Sequence, residues 1–121
     1  MTRSPFADIL EEAVRDLPGA IGAIFVDWEG EAVDAFTHGD EMQIKLLGAH
    51  WTIIYYQIKT ALGKLGIEAP KEVLLRFEEQ QVVIRQVTDE YLAIISMADQ
   101  THLGRAIGLM RRVEGRLRRE M

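Results

Sequence analysis

Three histidines (His38, His50 and His102) and a set of acidic pairs are the side chains in this sequence with the chemistry to hold a metal or move a proton. Their spacing assembles neither kind of site. No two histidines stand four residues apart on one helix face, so a zinc-type site is not expected. Glu11/Glu12 and Glu78/Glu79 fall on a helix surface and a turn, where carboxylates serve solubility rather than acid–base catalysis. Ser4 and Ser96 are the only serines, neither in a nucleophile-elbow setting. The absence of cysteine excludes thiol nucleophiles, thiolate metal sites and disulfides. Gly19-Ala20-Ile21-Gly22 leads into a strand and no Gly-Lys-Ser/Thr follows, so no phosphate loop is expected. The expectation is a protein without catalysis, metal or cofactor of its own.

Trp51, Tyr55 and Tyr56 are chemistry of another kind, because clustered aromatics build ligand cages, base-stacking platforms or protein interfaces. The interface is the favoured reading. A net charge of −5 and a pI near 5.2 argue against nucleic acid. Charge is unevenly spread: residues 1–41 carry ten acids and two bases, residues 101–121 two acids and six arginines. Such asymmetry can steer a partner, or simply solvate two helix faces.

The elements that position these residues follow from periodicity. Ser4-Pro5 reads as a helix cap and first position, followed by Phe6, Ile9, Leu10, Ala13, Val14 and Leu17 at helical spacing; Pro18-Gly19 stops it. Ala20 to Trp28 reads as a buried strand, Glu29-Gly30 as a hairpin turn, and Glu31 to Thr37 as the returning strand. A long helix spans Asp40 to Gly63. Strands at 72–78, 81–87 and 91–97 follow, joined by connections short enough for antiparallel hairpins. A last helix runs from about Thr101 to Arg119, with Leu103, Ile107, Met110, Val113 and Leu117 facing in. On that helix Gly104, Gly108 and Gly115 share an arc of roughly 40°. They are either tolerated at a solvent surface or leave room for another backbone. The order α-β-β-α-β-β-β-α predicts a single α+β domain over residues 1–121, a five-stranded antiparallel sheet with helices on both faces. No apolar run approaches the ~20 residues of a membrane span, and the acidic opening is unlike a signal or transit peptide. A soluble, cytoplasmic protein without membrane insertion is expected.

The long helix carries the main message. Ile44, Leu47, Trp51, Ile54, Tyr55, Ile58 and Leu62 form one apolar stripe; Met42, Leu46, Ala49, Ile53 and Tyr56 form a second, roughly opposite. His50 and Gln57 separate them on one flank, Lys45, Thr52 and Lys59 on the other. Two stripes need two covering layers, and so small a chain lacks elements for the second, so a homodimer through this helix is expected. Which stripe faces the partner is left open. Strand 72–78, after the long connection through Pro70, carries Arg76 and Glu78-Glu79 and is expected at a sheet edge. Its Val73 and Leu75 join the candidate dimer or partner surface with Met42, Leu46, Ala49, Trp51, Ile53, Tyr55 and Tyr56.

Leu17-Pro18-Gly19, the strand Ala20 to Asp27, the Glu29-Gly30 turn, the strand Tyr91 to Ile95, the Ala98-Asp99 link and Leu103-Gly104 opening an arginine-rich helix together resemble the roadblock/LC7 family. The order of elements matches over nearly the whole chain; the longin and profilin-like folds are topological neighbours. The resemblance implies a small dimeric module that binds and regulates Ras-like GTPases, like the bacterial polarity and gliding-motility regulators, and that works without a cofactor. It also implies that Gly30 and Gly104 are structural glycines, and that edge strands pair across the dimer. The alternative is a dimerising scaffold with no effect on GTP hydrolysis.

Overall fold

The computed structural model describes residues 4–121; Met1, Thr2 and Arg3 of the expected 1–121 unit lie outside the described residues. The elements are α1 (Pro5–Asp16), β1 (Ala20–Asp27), β2 (Ala32–Thr37), α2 (Glu41–Lys64), β3 (Glu72–Arg76), β4 (Gln80–Thr88), β5 (Tyr91–Ala98) and α3 (Leu103–Arg119). Ser4 caps α1, its hydroxyl accepting from the Phe6 N–H at 3.0 Å, with Pro5 in the first turn where its missing N–H costs nothing. Asp40 caps α2 in the same way, accepting from the Met42 N–H at 2.9 Å.

The strands form one antiparallel sheet in the order β2-β1-β5-β4-β3. Of the three inner strands, β1 and β5 are apolar almost throughout, and β4 at Val82, Val83, Ile84 and Val87, because both faces are covered. Ala23, Phe25, Val83, Ala93 and Ile95 point towards α1 and α3, while Ile24, Val26, Val82, Ile84, Leu92 and Ile94 form the second cluster with Ile44 and Tyr55 of α2. The fold is α+β with helices on both faces. Strand β3 lies at a sheet edge, paired with β4 alone.

Three local expectations are corrected. Trp28 is not the end of the buried strand: β1 stops at Asp27, whose carboxylate accepts from the Glu29 and Glu31 N–H groups, and this turn turns the indole out to 57% exposure. Strand β3 ends at Arg76, because Phe77 to Glu79 form the turn into β4. The inward stripe of α3 is Ala106, Leu109, Met110, Val113 and Leu117, with Leu103 and Ile107 only half-buried at its rim.

Two polar features brace the sheet. Buried Gln81 donates through Nε2 to the carbonyls of Asp99 and Thr101, at 2.9 and 3.0 Å, pinning the link from β5 to α3. Arg85 on β4 reaches Glu72 on β3 at 3.4 Å and Glu114 on α3 at 3.1 Å, all three largely withdrawn from water. This bridge ties the edge strand to the helix behind it.

Candidate interaction surface

The surface is built on α2, whose two sides the sheet makes unequal. Ile44 and Tyr55 are buried against it, and between them lie Gly48 and Thr52. A Cβ at Gly48 would stand 2.8 Å from Ile24 Cδ1, so glycine is what lets the helix approach β1 this closely. Thr52, expected on a polar flank, is 2% exposed; its hydroxyl donates to the Gly48 carbonyl at 2.7 Å, which removes the cost of burying it. The first stripe therefore turns to the sheet, with Leu47 and Ile54 at its rim rather than beneath it. Met42, Leu46 and Ile53, of the second stripe, are 74%, 58% and 56% exposed.

The nine residues expected on the surface separate into three groups: buried, half-buried and exposed. Tyr55 is corrected: it belongs to the core, its hydroxyl donating to the Pro70 carbonyl at 2.7 Å and so anchoring the connection from α2 to β3. Burial, aided by repulsion from Tyr56 and Asp89, pushes its phenol from 10.0 up to about 12. Val73 and Leu75 are half-buried and pack against the α2-side cluster, so their side chains are partly spent within the chain. Trp51 is half-buried too, its ring 5.8 Å from that of Phe77. Tyr56 stacks edge-on against Tyr55 and donates to the Asp89 carbonyl at 3.3 Å; burial first, then Asp89, Asp27 and Glu90, raise its phenol. Ala49 is half-buried beside Gly30. Met42, Leu46 and Ile53 remain open, and the structure adds two residues that the sequence reading did not place there. Trp28 flanks an open groove of about 520 Å³ along α2, lined also by Ile53, Tyr56 and Lys64, and Phe77 extends the apolar area towards β3. Both aromatics stand next to a turn in the sequence, but their exposure is set by the fold.

Gly30 and Gly104 differ in kind. Gly30 is buried with φ +86°, and a Cβ there would meet the Ala49 Cα at 3.2 Å, so it closes the β1–β2 turn under α2. Gly104 has no positive φ, and a Cβ would meet only the flexible His102 ring, at 3.3 Å; no structural demand for glycine is visible there. Among the described residues no group of three or more His, Asp or Glu is placed to hold a metal ion, and no helix is long and apolar enough to cross a membrane. His102 caps α3, its Nδ1 accepting from the Arg105 N–H at 3.1 Å.

Backbone parity distinguishes the two sheet edges. Gln86 N–H donates to the Lys71 carbonyl and Phe77 N–H to the Gln80 carbonyl. In the β3–β4 register this makes the odd-numbered residues of β3 bond inward, leaving the N–H and C=O groups of Glu72, Leu74 and Arg76 pointing off the edge. On β2 one of the outward N–H groups, that of Ala35, is already met by the Asp34 carboxylate at 2.9 Å.

This architecture is the roadblock/LC7 fold. No family model matches the sequence, and no curated protein is similar enough to be detected. Solved structures do match: a roadblock/LC7 domain from Streptomyces avermitilis superposes with a TM-score of 0.84 at 10% identity, over 93% of each chain. The gliding protein MglB from Thermus thermophilus superposes at 0.86 with 16% identity, over 99% of this chain and 93% of that one. Profilin from Schizosaccharomyces pombe superposes at 0.63 with 9% identity, over 93% of this chain and 95% of that one, which bears out the profilin-like neighbourhood. At these identities the likeness is one of fold.

Proposed function

We propose that the chain is a homodimeric interaction module that binds a small Ras-like GTPase and regulates it, contributing no chemistry of its own. The observation that carries this reading is the concentration of exposed large apolar side chains on one side of the molecule: Met42, Leu46 and Ile53 along α2, with Trp28 and Phe77 beside it. Apolar area gathered in this way marks a protein-binding surface. The open β3 edge continues it. Two β3 strands meeting antiparallel about Leu74 would set Glu72 of each copy opposite Arg76 of the other, and Val73 opposite Leu75, while satisfying the outward backbone groups. The blocked N–H at Ala35 disfavours the same event at β2.

The GTPase comes from the family resemblance and from the fold shared with a gliding protein. A Ras-like GTPase carries its own phosphate loop and magnesium, so a regulator need only order its switch loops by binding the GTP form better. The test is GTP turnover by the chain alone, by its cognate GTPase alone and by the two together. Turnover should change only in the mixture. Hydrolysis by the chain alone overturns the reading, and binding without a change in turnover selects the scaffold instead. A loss of about 10³-fold on Arg76→Ala would assign an arginine finger to the exposed Arg76.

A further inference from the structure

Helix α3 carries six arginines, and the fold employs four of them. Arg105 donates to the Asp16 carbonyl at 3.2 Å, Arg116 pairs with Glu12 at 2.9 Å, Arg118 with Glu114 at 3.5 Å, and Arg111 lies 3.9 Å from Glu72. Arg112 and Arg119 have no ion pair or hydrogen bond among the described residues, although the chain has five more acids than bases. Both are exposed, and their guanidinium groups lie back along the helix: Cβ atoms built at Gly108 and Gly115 would stand 3.7 Å from Arg112 Nη1 and 3.6 Å from Arg119 Nη1. The result is two cations without a direct ion pair, seven residues apart and roughly 10 Å along the axis, on a helix face kept low by glycine; Glu12 and Asp16 line one groove with Arg112, and Asp8 and Glu120 another with Arg119.

We propose that this outer face of α3 docks an acidic helix of a partner protein, with Arg112 and Arg119 each taking a carboxylate spaced one heptad apart on that helix. Charge complementarity selects the class of partner. A guanidinium pairs with carboxylate through parallel, charge-assisted hydrogen bonds, and two at fixed separation read spacing as well as sign. A lipid surface fits less well, because the apolar side of α3 (Leu109, Met110, Val113 and Leu117) is buried in the core and leaves nothing to insert. A nucleic acid fits less well, because two arginines on one helix face neutralise too few phosphates to hold a duplex. The face lies across the sheet from α2, so the inference stands apart from the dimer and GTPase reading.

The probe is a designed helical peptide whose only charges are glutamates seven residues apart along an alanine face. An isomer with the same composition and its glutamates on opposite faces is the control. Anisotropy titration of the full chain at about 50 mM salt, where the Debye length is still long enough for paired charges to attract, should show binding of the first peptide in clear preference to the second. Arg112→Gln with Arg119→Gln should weaken it by about a hundredfold, roughly tenfold for each charge-assisted pair. Gly108→Leu should weaken it with no change of charge. Sedimentation and circular dichroism of the variants should match the parent, which keeps this result separate from dimerisation. Equal binding of the two peptides, an unaffected double variant, no binding at low salt, or tighter binding to phosphatidylserine vesicles or duplex DNA would each overturn the proposal.

Discussion

At the scale of single residues, two positions carry demands that can be read out directly. Gly30 holds φ +86° with the Ala49 backbone against it. Gly30→Ala adds a left-handed strain and a backbone clash together, and should destabilise the chain by about 2 kcal/mol or more in urea unfolding. Gly104→Ala, without either demand, should stay near the parent. Tyr55 offers a pH-dependent test. Its phenol stays protonated in the folded chain up to about 12, whereas in the unfolded chain it ionises from 10.0. Between those values the unfolded state binds fewer protons, so stability falls as pH rises through that window. Tyr55→Phe should flatten this decline and cost about 1 kcal/mol at neutral pH, through loss of the hydrogen bond to the Pro70 carbonyl. Tyr56, also raised, keeps a shallower slope in the variant. Denaturant titrations at several pH values measure both effects.

The scale of elements turns on β3 as an edge. Its even-numbered backbone groups face outward, so proline at Leu74 removes an N–H that the chain itself does not use. Leu74→Pro should therefore leave the fold largely intact while abolishing edge pairing between copies, which sedimentation velocity would report as a shift to monomer. Val73→Pro removes an inward N–H bonded to β4 and should destabilise the sheet itself, lowering the thermal midpoint. If both variants keep the parent's assembly, β3 is not the pairing edge. Helix α2 has a comparable asymmetry, glycine and threonine admitting β1 on one side while methionine, leucine and isoleucine stand in water on the other.

For the whole molecule, the expectation is a species of twice 13.7 kDa at micromolar concentration. Ile53→Glu places a charge on the exposed stripe and should dissociate it without lowering the monomer's stability. Ile44→Glu buries a charge beneath the same helix and should unfold the chain. Ile54→Glu, at the rim, should fall between them, a milder outcome than full placement against the sheet would give. A 13.7 kDa species for the parent would remove the dimer from the proposed function.

The order of elements, the cap at Ser4, and the assignment of β3 to an edge were legible in the sequence. Local signals dictate each of them: a hydroxyl before a helical run, a period of two or of 3.6, a proline-marked connection. Two apolar stripes on α2 were legible as well, but their roles were not. The sheet decides those, because Gly48 and Thr52, unremarkable by hydropathy, sit where the helix comes closest to Ile24 and Val26 and thereby rotate Tyr55 inward and Ile53 outward. The same limit applies to Trp28, which reads as the end of an apolar strand until the Asp27 turn swings it into solvent. It applies also to Arg112 and Arg119, which are set apart from four other arginines only by where Asp16, Glu12, Glu72 and Glu114 come to lie. Periodicity fixes which residues share a face; which face is covered, and which charge goes unmet, depends on contacts between residues far apart in the chain.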